Sequence, residues 1–217
     1  MKAIIDKKEY EFREGISVLD ACREIGIDIP TLCHDDRLVA HSACRLCLVE
    51  MKHNGKLVTS CSTKIWDGME LFTNTDKVMK ARKDVLDMLF SNHPEDCLTC
   101  DKSGECKLQD YCYDYGVKGG TYIGEKRNSP MDDSNHFYSY DSDKCILCGL
   151  CVRVCDELQC TSAIDFVDRG FGTIVGTPFE GGLSESTCVS CGNCVSVCPV
   201  GALMPKTREK FRLWETK

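Results

Sequence analysis

Short alternations of apolar and polar residues open the chain. Residues 2–5 and 8–12 predict two strands around Asp6-Lys7. Ser17 predicts an N-cap for a helix reaching about Ile25 and closed by Gly26. Residues 46–51 and 56–60 predict a hairpin about His53-Asn54-Gly55, because Asn-Gly favours a tight turn. Two strands, a helix and two more strands make a small α+β unit. Further on the period changes. Val78, Ala81, Val85, Met88 and Leu89 fall on one face of a helix over 76–91, and Pro94 stops it. Residues 116–140, rich in Gly, Ser, Asn and Asp, predict a connecting loop. Residues 163–167 and 173–176 flank Asp168-Arg169-Gly170-Phe171-Gly172 and predict a second hairpin.

Composition changes this picture at one residue type. Eighteen cysteines in 217 residues mean either a disulfide scaffold or a metal protein. The N-terminus has no apolar run of signal-peptide length, and no long uncharged apolar stretch could span a membrane. The expected location is therefore the cytoplasm, where thiols stay reduced and clustered cysteines read as metal ligands. The net charge of −7 is spread evenly along the chain, with no basic face for nucleic acid. Only the tail 206–217 differs, with five Lys or Arg against two Glu. It is a candidate docking element or a solvated terminus.

The cysteines fall into four groups. Cys145, Cys148, Cys151 and Cys155 are spaced C-x2-C-x2-C-x3-C. Cys188, Cys191, Cys194 and Cys198 repeat that spacing, and Pro199 follows. This is the bacterial ferredoxin run, in which each triplet takes three corners of a 4Fe–4S cube and the fourth cysteine serves the other cube. The expected pairings are Cys145, Cys148 and Cys151 with Cys198, and Cys188, Cys191 and Cys194 with Cys155. A helix starting at the fourth cysteine would carry it across. Zinc sites more often use two separated CxxC pairs. Asp156 stands where the motif usually has proline.

Cys33, Cys44, Cys47 and Cys61 form another group. Three loop ligands and a distant fourth suit a 2Fe–2S centre, although the ten residues between Cys33 and Cys44 exceed the plant-type gap. A zinc ribbon fits these residues too. His34 and His41 read as polar loop residues. The remaining group, Cys97, Cys100 and Cys106, is one donor short of a cube, and His93 is the natural fourth. Cys112 competes with it. With His93 the donors number sixteen, enough for one 2Fe–2S and three 4Fe–4S clusters. Cys22 and Cys160 are left as buried packing thiols.

These motifs resemble a known family. Ser42-Ala-Cys44-Arg-Leu-Cys47-Leu-Val-Glu50 is similar to the 2Fe–2S motif of the large iron–sulfur subunit of complex I. The same motif occurs in the N-terminal region of FeFe-hydrogenases and in the small diaphorase subunit of NAD-reducing NiFe-hydrogenases. His93-Pro-Glu-Asp-Cys97-x2-Cys100-x5-Cys106-Lys-Leu-Gln109 resembles their histidine-ligated cluster motif, and Gly181-Gly182-Leu-Ser-Glu-Ser-Thr-Cys188-Val-Ser-Cys191-Gly resembles their ferredoxin-like part. The resemblance covers essentially the whole chain. It implies an α+β protein with a β-grasp 2Fe–2S ferredoxin domain over 1–76. A helical segment with a histidine-ligated 4Fe–4S cluster and a connecting loop would occupy 77–140. A bacterial-type two-4Fe–4S ferredoxin domain would occupy 141–205, and the tail 206–217 follows.

An FeFe-hydrogenase would continue into a catalytic domain. Gly116-Val-Lys-Gly-Gly-Thr-Tyr-Ile-Gly124 lacks the spacing and strand context of a dinucleotide fingerprint. The expected function is thus an electron relay with no catalytic residues of its own. Its expected partners are a flavin- and NAD(H)-binding subunit, a hydrogenase or other redox catalytic subunit, and a soluble ferredoxin if the complex bifurcates electrons. Two alternatives stand beside this: a detached N-terminal part of an FeFe-hydrogenase or formate dehydrogenase, and an independent polyferredoxin.

Overall fold

The computed structural model describes residues 1–206, so the docking role expected of the tail 206–217 lies almost wholly outside the described residues. The chain divides into two compact units. Met1–Leu89 and Tyr111–Tyr122 form one, and Phe90–Asp110 with residues 123–206 forms the other. The stretch 77–140 is divided between them.

In the first unit, β1 (Lys2–Ile5) and β2 (Lys8–Glu11) pair antiparallel, as the alternation predicts. Ser17 stays extended, and its Oγ accepts from the Asp20 N–H at 3.0 Å to cap α1 (Val18–Glu24). Val18, Leu19, Ala21 and Cys22 point inward. The hairpin forms from β3 (Leu48–Met51) and β4 (Leu57–Thr59). One strand escaped the sequence pattern: β5 (Met69–Phe72) lies at the centre of the sheet order β2-β1-β5-β3-β4. It runs parallel to β1, with Ala3 opposite Met69 and Ile5 opposite Leu71. Ile5, Leu19, Val49, Met51, Met69 and Leu71 share one core. A mixed sheet closed over one helix is the β-grasp arrangement that the resemblance implies.

The helix predicted over 76–91 is α2 (Asp76–Ser91). Its buried row is Val78, Arg82 and Leu86, while Met88, which the period placed inward, is 52% exposed. The apolar period leaves Arg82 out of the inward face because it scores a charge as outward. Here Arg82 Nη2 donates to the Leu48 carbonyl at 2.7 Å and Nη1 to Tyr115 Oη at 3.1 Å. These partners let the stem pack and the head stay hydrogen-bonded. Arg82→Met keeps most of the stem but orphans the Leu48 carbonyl. It is expected to lower the unfolding free energy by about 1–3 kcal/mol. Chemical denaturation of the cluster-loaded chain measures this, and an unchanged midpoint would show that the contact contributes nothing. Beyond it, α3 (Lys107–Asp114) was not anticipated. It buries Leu108 and Cys112, one turn apart.

In the second unit, the expected loop over 116–140 ends in a strand, β6 (Tyr138–Tyr140). The helix of the first cysteine run, α4 (Leu150–Arg153), continues as a wider π turn over Val154–Leu158. β7 (Asp165–Val167) and β8 (Ile174–Gly176) form the second predicted hairpin. α5 (Asn193–Val197) serves the other run, and β9 (Leu203–Pro205) pairs back on β6. Both run helices begin before the third cysteine rather than at the fourth. Gly149 and Gly192, at φ 75° and 76°, open them immediately after the second cysteine.

Candidate metal centres

Cys33 lies in the loop after α1, Cys44 and Cys47 in the loop entering β3, and Cys61 just beyond β4. The fold brings these four together. Cys47 and Cys61 place their sulfurs 3.4 Å apart, and the Cys44 N–H donates to Cys33 Sγ at 3.3 Å. Hydrogen bonding within each pair of thiols lowers Cys44, beside Cys33, and Cys61, beside Cys47, while the same contact and burial raise Cys33 and Cys47. A thiolate is the form that binds metal. Ser42 Oγ adds a contact to Cys61 Sγ at 3.4 Å. Ser42 and Arg45 adopt left-handed φ of 58° and 57°, which curls this loop tightly. His41 is exposed, and His34 Nε2 pairs with Asp36 at 3.0 Å. Cys22 is fully buried, and burial pushes its thiol up to about 12, as suits a packing residue.

The second group follows α2 within the second unit. His93 is 6% exposed, and its ring stacks on Phe90. Its Nδ1 lies 2.8 Å from the Pro94 carbonyl, which accepts only from a protonated nitrogen. Nε2 is then left with its lone pair, buried and without a partner among the described residues. Desolvation lowers the His93 pKa and keeps the imidazole neutral. A histidine ligand needs this arrangement, with one nitrogen anchored to a carbonyl and the other free. Cys97, Cys100 and Cys106 sense one another electrostatically, so they face common ground. A Cβ on Gly201 would fall 2.9 Å from Cys100 Sγ, so only glycine leaves that sulfur its room. Cys112, on α3, is counted with the first unit.

The two quartets share one local design. Leu147 and Ser190 sit at φ 52° and 54°, and each donates its N–H at 3.4 Å to the sulfur two residues earlier, Cys145 and Cys188. With the left-handed glycines, such turns point successive amides inward and cradle an anionic group. Burial raises the Cys151 thiol, and Cys148, Cys145 and Cys198 raise it further. Cys198 in turn senses Cys145. A separate cavity is lined by Cys155, Cys188, Cys191 and Cys194. Cys155 Sγ meets Thr161 Oγ1 at 3.2 Å and the Ala163 N–H at 3.4 Å. Cys160, expected to be buried, is exposed at the turn ending the π segment, with φ 56°.

Sequence reasoning missed Gly201 and two tyrosines. Tyr138 Oη lies 3.0 Å from Cys188 Sγ, and Tyr140 stands beside Cys145 and Cys151. Their i, i+2 spacing in an alternating stretch was the available signal, hidden by the Gly- and Asn-rich context. The donor sets, thiols throughout with one neutral imidazole, suit iron–sulfur clusters.

Comparisons with known proteins agree. Residues 2–76 match a 2Fe–2S iron–sulfur cluster binding domain, and residues 82–120 the NADH-ubiquinone oxidoreductase-G iron–sulfur binding region. Residues 144–202 match a 4Fe–4S dicluster domain. The chain is 40% identical to the NADP-reducing hydrogenase subunit HndD of Solidesulfovibrio fructosivorans, over 97% of this chain and 36% of that one. It is 36% identical to the NADH-ubiquinone oxidoreductase 75 kDa subunit of Reclinomonas americana, over 99% of this chain and 31% of that one. The chain thus spans about a third of the length of these curated relatives. A chain in the crystal structure of an NAD+-reducing NiFe-hydrogenase in the H2-reduced state superposes with a TM-score of 0.88 at 30% identity. That match covers 95% of this chain and 88% of the other. The chain therefore belongs to the family of iron–sulfur electron-transfer subunits found in NAD-reducing hydrogenase, and it is related to the 75 kDa subunit of NADH-ubiquinone oxidoreductase.

Proposed function

We propose that the chain holds one 2Fe–2S and three 4Fe–4S clusters and relays electrons between an NAD(H)-linked flavoprotein and a second redox catalytic subunit, most consistently a hydrogenase. Cys33, Cys44, Cys47 and Cys61 hold the 2Fe–2S cluster. His93, Cys97, Cys100 and Cys106 hold one cube. The other two are held crosswise, by Cys145, Cys148, Cys151 and Cys198 and by Cys188, Cys191, Cys194 and Cys155. The observation that carries this reading is the buried, unpartnered Nε2 of His93. It completes the one group that has three cysteines and brings the donors to four per cluster. Iron–sulfur clusters supply one-electron transfer. The chain's own part is to hold them with thiolates and one imidazole, to surround the sulfurs with N–H and O–H donors, and to bury Cys151 and Cys194 away from water. The similarity to an NAD+-reducing hydrogenase supports the choice of partners, and cysteines grouped as metal ligands support a cytoplasmic setting.

Iron and acid-labile sulfide in anaerobically purified protein test the reading. Fourteen of each per chain are expected from the sixteen donors. Cys112→Ala should keep all fourteen, and His93→Ala should fall to about ten. About ten in the unaltered chain, or stoichiometric zinc, would remove a cube from the scheme. A second reading takes these residues as the iron–sulfur portion of a longer catalytic polypeptide. The share of the curated relatives that aligns, 36% and 31%, favours it. The mass of the native polypeptide, 24.3 kDa or several times that, separates the two.

A further inference from the structure

β6 carries Tyr138 and Tyr140, and alternate residues of a strand share a face. Both are buried, at 2% and 8% exposure. The strand is fixed on two sides. β9 pairs with it, and Asp132 exchanges backbone hydrogen bonds with Tyr140 at 2.8 and 2.9 Å. Tyr138 Oη is 3.0 Å from Cys188 Sγ and is also close to Cys194. Among the described residues the buried Tyr140 hydroxyl makes no hydrogen bond of good geometry, and it stands close to Cys145 and Cys151. Tyr138 therefore faces the first and third cysteines of one triplet, and Tyr140 stands close to those of the other while also lining the cavity of Cys155, Cys188, Cys191 and Cys194. The two tyrosines repeat the twofold pattern of the cysteine runs although they lie outside them in sequence.

Burying a hydroxyl costs free energy unless it finds a partner, so packing alone would favour phenylalanine here. Beside a thiolate, which can only accept, a phenol has a single role as donor. A donor to cluster sulfur stabilises the reduced, more negative state more than the oxidised one. We propose that Tyr138 and Tyr140 are positioning residues that each donate a hydrogen bond to cysteine sulfur and raise the reduction potential of one cube. Tyr138 acts on the set of Cys188, Cys191 and Cys194, and Tyr140 on the set of Cys145, Cys148 and Cys151. The inference rests on the four-cluster reading above.

EPR-monitored redox titration of the full chain tests it, with iron content measured on the same samples. Tyr138→Phe and Tyr140→Phe should each make one cube harder to reduce, and not the same cube. The expected loss is about tenfold in the equilibrium constant for reduction, or ~59 mV for one electron. Full iron with both potentials unmoved would overturn the tyrosine proposal and leave the four-cluster reading standing. Iron well short of fourteen in the unaltered chain would instead overturn that reading. If a Phe variant loses its cluster, 3,5-difluorotyrosine at that same position decides. It keeps the hydroxyl as a stronger donor and should raise the potential, and an unchanged potential would overturn the proposal.

Discussion

Replacing Cys155 by serine is expected to damage the cluster site of Cys188, Cys191 and Cys194, more than thirty residues away in sequence, and to spare that of its own run. The reason is the cavity. Cys155 lines it together with those three cysteines, along with Thr161 and Ala163, which contact its sulfur. Cys155 lies inside the π turn over Val154–Leu158, whereas Cys151 lies in α4 before it. The proposed scheme has Cys198 make the reciprocal crossing, and in keeping with it Cys198 senses Cys145 and Cys151 senses Cys198. Serine keeps the shape but is a far weaker donor at neutral pH, since the thiolate is the form that ligates. Iron should fall from fourteen toward thirteen or ten, and one EPR signal should change shape or disappear. Loss of the signal assigned to Cys145, Cys148 and Cys151 would instead mean local ligation and would sink the crossed scheme.

The purified chain, reducible by dithionite, is expected to show no NADH oxidation above background until a flavin-bearing subunit is added. NADH gives up a hydride, two electrons at once, whereas iron–sulfur clusters take one, so a flavin is normally interposed. The Rossmann form of dinucleotide site opens from a strand through a glycine-rich turn into a helix. In this fold β1 turns at Asp6-Lys7 directly into β2, and those two residues carry positive φ of 49° and 71°. The measurement is steady-state NADH oxidation with an artificial one-electron acceptor, before and after addition of the flavoprotein. Turnover by the chain alone would defeat the relay reading. Equal iron content in both samples keeps a null rate from reflecting lost clusters.

The chemistry was more legible in the sequence than the architecture. Cluster ligands must reach a few ångströms around a compact inorganic core, so their spacing is written in short cysteine intervals. Thus the spacing of the two quartets is visible directly, and Ser17 as a cap and α2 to its ends could be read because each rests on contacts within one or two turns. Arg82 shows where local pattern stops. Its burial depends on the Leu48 carbonyl and Tyr115, both more than thirty residues distant. The parallel pairing of β5 with β1 spans more than sixty residues and has no periodic signature of its own. Cys160 was expected inside because free cysteine is usually apolar in its preferences, and the backbone turn there put it outside.

What the sequence offered by itself was therefore the set of candidate donors, their spacing and the kind of group they suit. The tertiary structure decided what surrounds them. Tyr138 reaches Cys188 across fifty residues, and Gly201 leaves space for Cys100 across a hundred. The lone pair of His93 Nε2 is free because a carbonyl engages the other ring nitrogen and burial excludes water. Hydrogen bonds, burial and neighbouring charge act through space, and these are the quantities that set a cluster's potential.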